Sequence, residues 1–521
     1  MRRTQLSARR GFADSRVPAA YNSGEPSVSV PAFSHRTLGL VATTSALGGA
    51  SWHLGTCLVS GAARMRFPLD IDWLEGGEIY HAWRLHGGLP IYRAATEGFL
   101  PFPYPPLYFA ILAWMGTIFP IDFASGRALS LAAFVVTITT SGLAVALHAK
   151  TQSLVQRLVV AIVAGASVAC TYANVEGYFD LARVDSLGIA FAVVAAFALL
   201  RGRWGTVVAG IAATAAIYTK QTMVFPVTAL ILAAWIDDRR RATLFAAIVV
   251  GLSSSALLGL QLATHGAFLR WITDLRHNTV VWSRLVRGPV RLTVVMPWLP
   301  LIPLVAAWLA GKRRLSSRAR IWLFLWLGSL PAGLLPYAKE YGFVNNFIPI
   351  AATSGPAALL LALDLLDAAS FRARAGLGIA WGAIFLAKTY DPERFRPSAD
   401  AVARAHVLEQ EIRGLSVDVL CPIHPLLVVH AGHPEEQAPL LSHLDAIGGK
   451  MGPSLESYLA YVLARRPDYV LFDDIPIEDF IKSGIASAYE RDPSFDASRG
   501  PRSGSAAPFM PVPQSLYRRR R

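Results

Sequence analysis

The sequence predicts an all-α polytopic membrane protein of about 11 transmembrane helices plus an interfacial helix, followed by a small C-terminal α/β extracytoplasmic domain. Three observations carry this expectation. Of the 521 residues, 53% are hydrophobic and only 16% are charged, against about 25% charged in a soluble domain. Apolar stretches long enough, or nearly so, to cross roughly 30 Å of hydrocarbon recur between residues 38 and 390. Arg and Lys gather in alternate gaps between those stretches, the asymmetry that marks cytoplasmic loops.

Taken in order, residues 1–37 are basic and then rich in Ser, Pro and Gly, with no apolar core behind the positive residues. They read as a disordered cytosolic tail rather than a cleaved signal. Spans are expected at 38–62, 128–148, 157–173, 186–200, 205–219, 222–236, 242–263, 291–310, 320–337, 346–367 and 375–388. Between the first two lies an acidic outer loop, 64–126. Within it, residues 105–119 are bounded by Pro105, Pro106 and Pro120; that short length suits an interfacial helix. Treating 105–119 so places Lys150, Arg157, Arg201, Arg203, Arg239–Arg241, the Lys312–Arg320 run, Arg372 and Arg374 beside the N-terminus in the cytosol. Counting it as a span would throw the later Arg clusters outside. From 391 the composition turns soluble. VDVLCPIHPLLVVH and RRPDYVLFDD read as buried strands and SLESYLAYVLARR as a helix, giving an α/β domain over 391–490. Residues 491–521 read as a disordered tail.

Composition and motifs also exclude several functions. The formal charge of +14 lies in short gaps between apolar runs, not along one face, which argues against nucleic acid as a partner. Cys57, Cys170 and Cys421 are isolated, so neither a disulfide framework nor a zinc site is signalled. There is no Walker loop, Rossmann glycine pattern, HExxH or GxSxG elbow. An outer-face site has no nucleotide-sugar supply, so a group to be transferred must arrive on a membrane-borne carrier.

The candidate chemistry lies in the outer segments. Asp70, Asp72, Glu75 and Glu78 fall within nine residues, and carboxylates at a membrane edge are costly unless used or compensated. One of them could deprotonate a hydroxyl acceptor; the alternative is that they are solvated or cap the helix of GEIYHAWRLHGG. Asp180, Arg183 and Asp185 mark the entry to the apolar run SLGIAFAVVAAF, where Asp185 is either functional or an N-cap. Lys220 and Gln221 interrupt two apolar runs, where a Lys either snorkels or binds phosphate. Arg270, Arg276, His277, Arg284 and Lys339 are outer basic residues suited to a phosphate or to lipid headgroups. Asn345 stands in the late KEYGFVNN segment.

EGGEIYHAWRLHGGLPIYR followed by PFPYPPLYFAILAWMGTIF resembles the first outer loop of the C-type membrane glycosyltransferases (GT-C). The likeness is to bacterial relatives of protein O-mannosyltransferases and lipid A aminoarabinose transferases. ASGRALSLAAF, with Arg127, looks like the start of the next span; FDLARVDSLGIAF is similar to the second acidic site at Asp185. IYTKQTMVFP matches the Lys-containing boundary at Lys220, and AKEYGFVNNFIPIAA the late span entry. The usual adjacent Asp-Glu pair falls here on Leu74-Glu75, so Asp72 or Glu75 must carry the base role. The resemblance implies inverting transfer of a sugar from a polyprenyl-phosphate donor to a glycan, lipid or protein hydroxyl at the outer face of a bacterial cytoplasmic membrane. Asp72, Glu75 and Asp185 would be catalytic; Lys220, Arg183, Arg276, Lys339 and Asn345 would bind substrate or phosphate. No cofactor is required by this reading, although a divalent metal ion on the acidic loop is compatible with it. A lipid-linked sugar flippase and an inactive scaffold of the same fold are the rival readings.

Overall fold

Long apolar runs fold as helices because hydrocarbon offers backbone N–H and C=O groups no partner outside the segment. The computed structural model describes residues 35–93, 99–148, 153–274, 279–340, 342–366, 371–415, 418–433, 437, 452–474, 478–496, 500–501 and 512–520. Its helices begin with α1 (His35–Met65), α2 (Glu75–His86), α3 (Leu107–Met115), α4 (Phe123–Ala146), α5 (Leu154–Ala169), α6 (Val184–Ala198), α7 (Gly202–Thr219) and α8 (Val224–Asp237). Then come α9 (Arg239–Ala263), α10 (Ala267–Asp274), α11 (Trp282–Val295), α12 (Leu301–Gly311), α13 (Ser317–Ala338), α14 (Ile348–Leu365), α15 (Phe371–Ala387) and α16 (Ala399–Arg413).

Among the described residues, five helical stretches are long and apolar enough to cross a membrane: Phe123–Ala146, Leu154–Val175, Arg239–Ala263, Ser317–Ala338 and Val344–Leu365. Only 11% of the apolar window of Arg239–Ala263 is buried inside the protein; Val250, Leu258 and Leu262 face outward. An apolar surface of that extent belongs against hydrocarbon. Polar caps set where several helices start. Asp122 and Ser125 form a capping box on α4, and Ser153 and Gln156 one on α5. Helix α3 has nine residues, about 14 Å of rise, too short to span.

The span expected at 291–310 is instead two helices, α11 and α12. Pro297 and Pro300 explain the break: neither can donate a backbone N–H, and Met296 before the first is pushed to φ −132°, ψ 77°. Trp298 Nε1 donates to Ser354 Oγ at 3.0 Å, pinning the break against α14.

Beyond α16 the chain forms β1 (Val419–Leu420), α17 (Pro425–His430), α18 (Gly452–Arg465), β2 (Tyr469–Phe472), α19 (Glu478–Ile485), β3 (Tyr489–Arg491) and β4 (Ser515–Arg519). The sheet order is β1-β2-β4-β3, with β1 and β2 parallel and β4 antiparallel to both neighbours. Two expectations are corrected here. VDVLCPIHPLLVVH is a strand only at Val419–Leu420, because Pro425 starts helix α17 at a position where its missing N–H costs nothing. SLYRR, expected in a disordered tail, is an inner strand: Leu516 is buried, Val470 pairs with Tyr517, and Arg518 and Arg519 are balanced by Glu490 and Asp468. Residues 502–511 lie outside the described part. One apolar cluster joins Ile79 and Ala82 of α2 and Phe109 of α3 to Leu420, Leu426, Val470 and Phe472. The sheet therefore packs on the acidic loop.

Candidate active site

Charged and amide side chains from six segments meet where one set of helix ends converges: α1 ends there, α4, α6 and α14 begin, α7 ends, and α2 lies across them. Arg127, on the first turn of α4, is 1% exposed and makes a bidentate pair with Glu75 at 2.9 and 2.8 Å. Its remaining hydrogens go to the carbonyls of Arg64, Phe67 and Leu69 at 2.8, 2.7 and 2.7 Å. Glu75 also accepts from the Ile71 and Ala182 amides, both at 2.8 Å. All its acceptor positions are thus engaged. Burial alone would raise the Glu75 pKa; Arg127 and the two amides outweigh it and hold the carboxyl below its ordinary value.

Beside this clamp lies a chain of ion pairs centred on Arg183. Its Nη1 bonds Asp72, and its Nε lies 3.1 Å from Glu78 and 3.7 Å from Asp185. Asp185 in turn bonds Lys220 and accepts from Asn345 Nδ2 at 3.3 Å; Lys220 also donates to Asn346 Oδ1 at 3.2 Å. The bland alternative for Asp185, a helix N-cap, does not apply. The cap position is Arg183, without a side-chain cap, and the Asp185 carboxylate turns to the lysine. Three carboxylates here face two cations. The balance is restored at Glu78, whose pKa burial pushes up to about 8, Asp185 and Asp72 adding to the rise and Arg183 opposing it. Of the three, Glu78 is the carboxyl that burial drives toward its protonated form.

Asp72 differs from its neighbours. It keeps 7% of its surface exposed, whereas Glu75 and Glu78 keep none and Asp185 1%. Tyr178 Oη donates to its Oδ1 at 2.8 Å, and the Leu74 amide to its Oδ2 at 3.3 Å. It is an acceptor held on a short turn at the rim of the layer.

The PFPYPP segment runs alongside. Gln221 Nε2 donates to the Pro103 carbonyl at 2.7 Å, and the Phe102 amide approaches His81 Nε2 at 3.3 Å. His81 is stacked among Phe99, Phe102 and Phe109, where burial lowers its pKa to about 3 and keeps it neutral. Asp70, the first carboxylate of the loop, turns the other way. It accepts the Gly76 amide at 2.5 Å and His424 Nδ1 at 3.0 Å, and His424 Nε2 lies 2.7 Å from Asp473.

The layer therefore brings together Asp72, Glu75, Arg183, Asp185, Lys220 and Asn345 of the expected residues. Arg276 lies outside the described residues. Lys339 caps α13, where its carbonyl accepts from Arg284 at 2.9 Å; among the described residues no hydrogen bond or ion pair ties its side chain to the layer. Arg127, Tyr178, Glu78's raised pKa and the His424–Asp473 pair were not assigned from sequence. Arg127 was visible only as a cation opening an apolar run. Among the described residues no three His, Cys, Asp or Glu side chains come together to hold a metal ion, and the carboxylates of the layer face guanidinium and ammonium groups. That donor set does not fit a resident divalent cation, and no chemical step is routed through one.

No known family's sequence profile matches this chain, and no curated protein matches it. Solved structures do. ArnT from Cupriavidus metallidurans in the apo state superposes with a TM-score of 0.51 at 12% identity, over 90% of this chain and 97% of that one. The same protein bound to undecaprenyl phosphate gives 0.45 at 15% identity, over 84% and 88%. The Archaeoglobus fulgidus oligosaccharyltransferase in the apo form gives 0.45 at 11%, over 81% and 69%. The fold is therefore the one that apo ArnT adopts. ArnT is a lipid A aminoarabinose transferase.

Proposed function

We propose that this protein is a multi-pass transferase of a bacterial cytoplasmic membrane, moving a sugar from a polyprenyl-phosphate donor to a hydroxyl acceptor at the outer face. The N-terminus is cytosolic, the chain crosses the membrane about eleven times, and the part beyond α16 is extracytoplasmic. The observation that carries this reading is the buried layer in which one carboxylate, Asp72, paired with Arg183, keeps more exposed surface than Glu75, Glu78 or Asp185. Arg201, between α6 and α7, and Arg203, in the first turn of α7, lie at the ends of those helices away from Asp185 and Lys220, which supports an outward-facing layer. ArnT, whose apo fold this chain shares, has also been solved with undecaprenyl phosphate bound, and a carrier of that class is the donor assigned here.

In this mechanism Asp72 takes the proton of the acceptor hydroxyl as its oxygen attacks the anomeric carbon. The bond from that carbon to the phosphate oxygen breaks on the opposite face, and configuration inverts. The bonding pair leaves with polyprenyl phosphate, whose growing charge is met by Lys220 and Arg183. Asp185 and Asn346 hold Lys220 in place, and Asn345 steadies the Asp185 carboxylate. Glu75 is given a structural role, since all its acceptor positions are filled. The test is Asp72→Asn assayed in membranes with a radiolabelled polyprenyl-phosphate sugar. Transfer should fall about 10²–10⁴-fold; unchanged transfer would remove Asp72 from the mechanism.

A further inference from the structure

The acidic loop is also held from outside the membrane helices, by a residue with no part in the ion-pair layer. His424 is 1% exposed and sits between two buried carboxylates, Nδ1 at 3.0 Å from Asp70 and Nε2 at 2.7 Å from Asp473. Each ring nitrogen faces one carboxyl, so the imidazole bridges Asp70 and Asp473 end to end through both of its nitrogens. Asp473 follows β2 directly, and its amide is fixed by Glu478 Oε1 at 3.0 Å. On the other side Asp70 closes the loop through the Gly76 amide. A Cβ at Gly76 would stand 2.8 Å from Asp70 Oδ1, so a glycine is needed for the carboxylate to reach that amide. Asp72 projects from the turn thus closed, between the Asp70 carboxylate and the Glu75 amide that donates to the Asp72 carbonyl at 3.1 Å.

We propose that His424 is a positioning residue: bridging Asp473 of the C-terminal sheet to Asp70 of the acidic loop, it sets the turn that aims Asp72 at the acceptor. This rests on the transferase reading for its kinetic half and on geometry alone for its structural half. The C-terminal unit is then a working part of the site. Docking does not depend on His424 alone, because Tyr80 Oη and the Gln437 backbone bond at 3.1 and 2.9 Å and Leu426 packs in the cluster with Ile79.

The full-length protein in nanodiscs tests this with His424→Ala, His424→Asn and His424→Gln. An asparagine amide overlays Nδ1 and keeps a donor toward Asp70; a glutamine amide overlays Nε2 and keeps one toward Asp473. Two readouts are taken: amide hydrogen exchange of residues 70–78, and kcat and KM for transfer from a polyprenyl-phosphate sugar. His424→Ala and His424→Gln should speed exchange in that segment and lower kcat about 100-fold, the cost of misplacing a reacting group by an ångström, with KM unchanged. His424→Asn should recover part of both. Wild-type exchange and kcat in His424→Ala, or equal impairment of the Asn and Gln variants, would overturn the proposal. Should exchange respond as expected while the wild type transfers from no lipid-linked sugar, the bridge stands and the transferase reading fails.

Discussion

Replacing Glu75 by glutamine separates the two roles that a buried carboxylate in the acidic loop can fill. In the structure Glu75 accepts four hydrogen bonds, two from Arg127 and two from backbone amides, with no exposed surface. Hydrogen bonds to a charged group contribute about 1.5–3 kcal/mol each, and removing one partner of a buried ion pair costs about 3–5 kcal/mol. Glu75→Gln keeps the shape, turns an NH₂ group toward donors and leaves Arg127 uncompensated, so about 3–5 kcal/mol of stability should disappear. Arg127→Gln should cost as much or more, since it also orphans the carbonyls of Arg64, Phe67 and Leu69. Combining the two substitutions should cost less than the separate losses added together, the sign of direct coupling. Thermal melting of purified protein in detergent gives the stabilities; transfer measured well below the melting point gives the chemistry. If Glu75→Gln melts like the wild type yet transfers nothing, Glu75 is the base and the structural assignment is wrong.

Two further outcomes follow from the same geometry. The Glu78 pKa rises from 4.5 to about 8 on folding, so the folded chain keeps a proton that the unfolded chain releases. Its contribution is complete below about pH 4.5 and is lost as the pH climbs toward 8, by up to about 1.4 kcal/mol per unit. His424, raised by Asp473 and Asp70 against the effect of burial, acts in the same direction from about pH 6.5 upward. Melting temperature should therefore fall between pH 5 and 8, and Glu78→Gln should flatten the part below 6.5; an unchanged slope there would contradict the assignment. Gly76→Ala forces a Cβ to within 2.8 Å of Asp70 Oδ1 and should destabilise by about 1–3 kcal/mol, read by the same melting experiment.

What the sequence revealed and what it hid have physical reasons. Apolar runs announce helices because one pattern serves every residue of a segment. The exception, 291–310, went wrong where two prolines three residues apart mattered more than mean hydropathy. Asp72, Asp185 and Lys220 stood out as charges at the edge of apolar runs. Their partnerships did not: Arg127 lies 52 residues from Glu75 and His424 lies 354 from Asp70, and a single sequence carries no signal for pairing at that range. The division of labour among the carboxylates was hidden for the same reason. Strand β4 was missed because its Arg-rich surroundings outweighed the short Leu516-Tyr517 pair that seats it between β2 and β3.

The placement of β4 bears on the order in which the protein becomes competent. The carboxylates of the loop, residues 70–78, are translated more than 400 residues before β4. Strand β2, which leads into Asp473, gains its antiparallel neighbour only after residue 519 has been translated. A chain stopped short of residue 515 would carry every charged group of the layer and still lack the strand that flanks β2, and with it the full sheet behind Asp473.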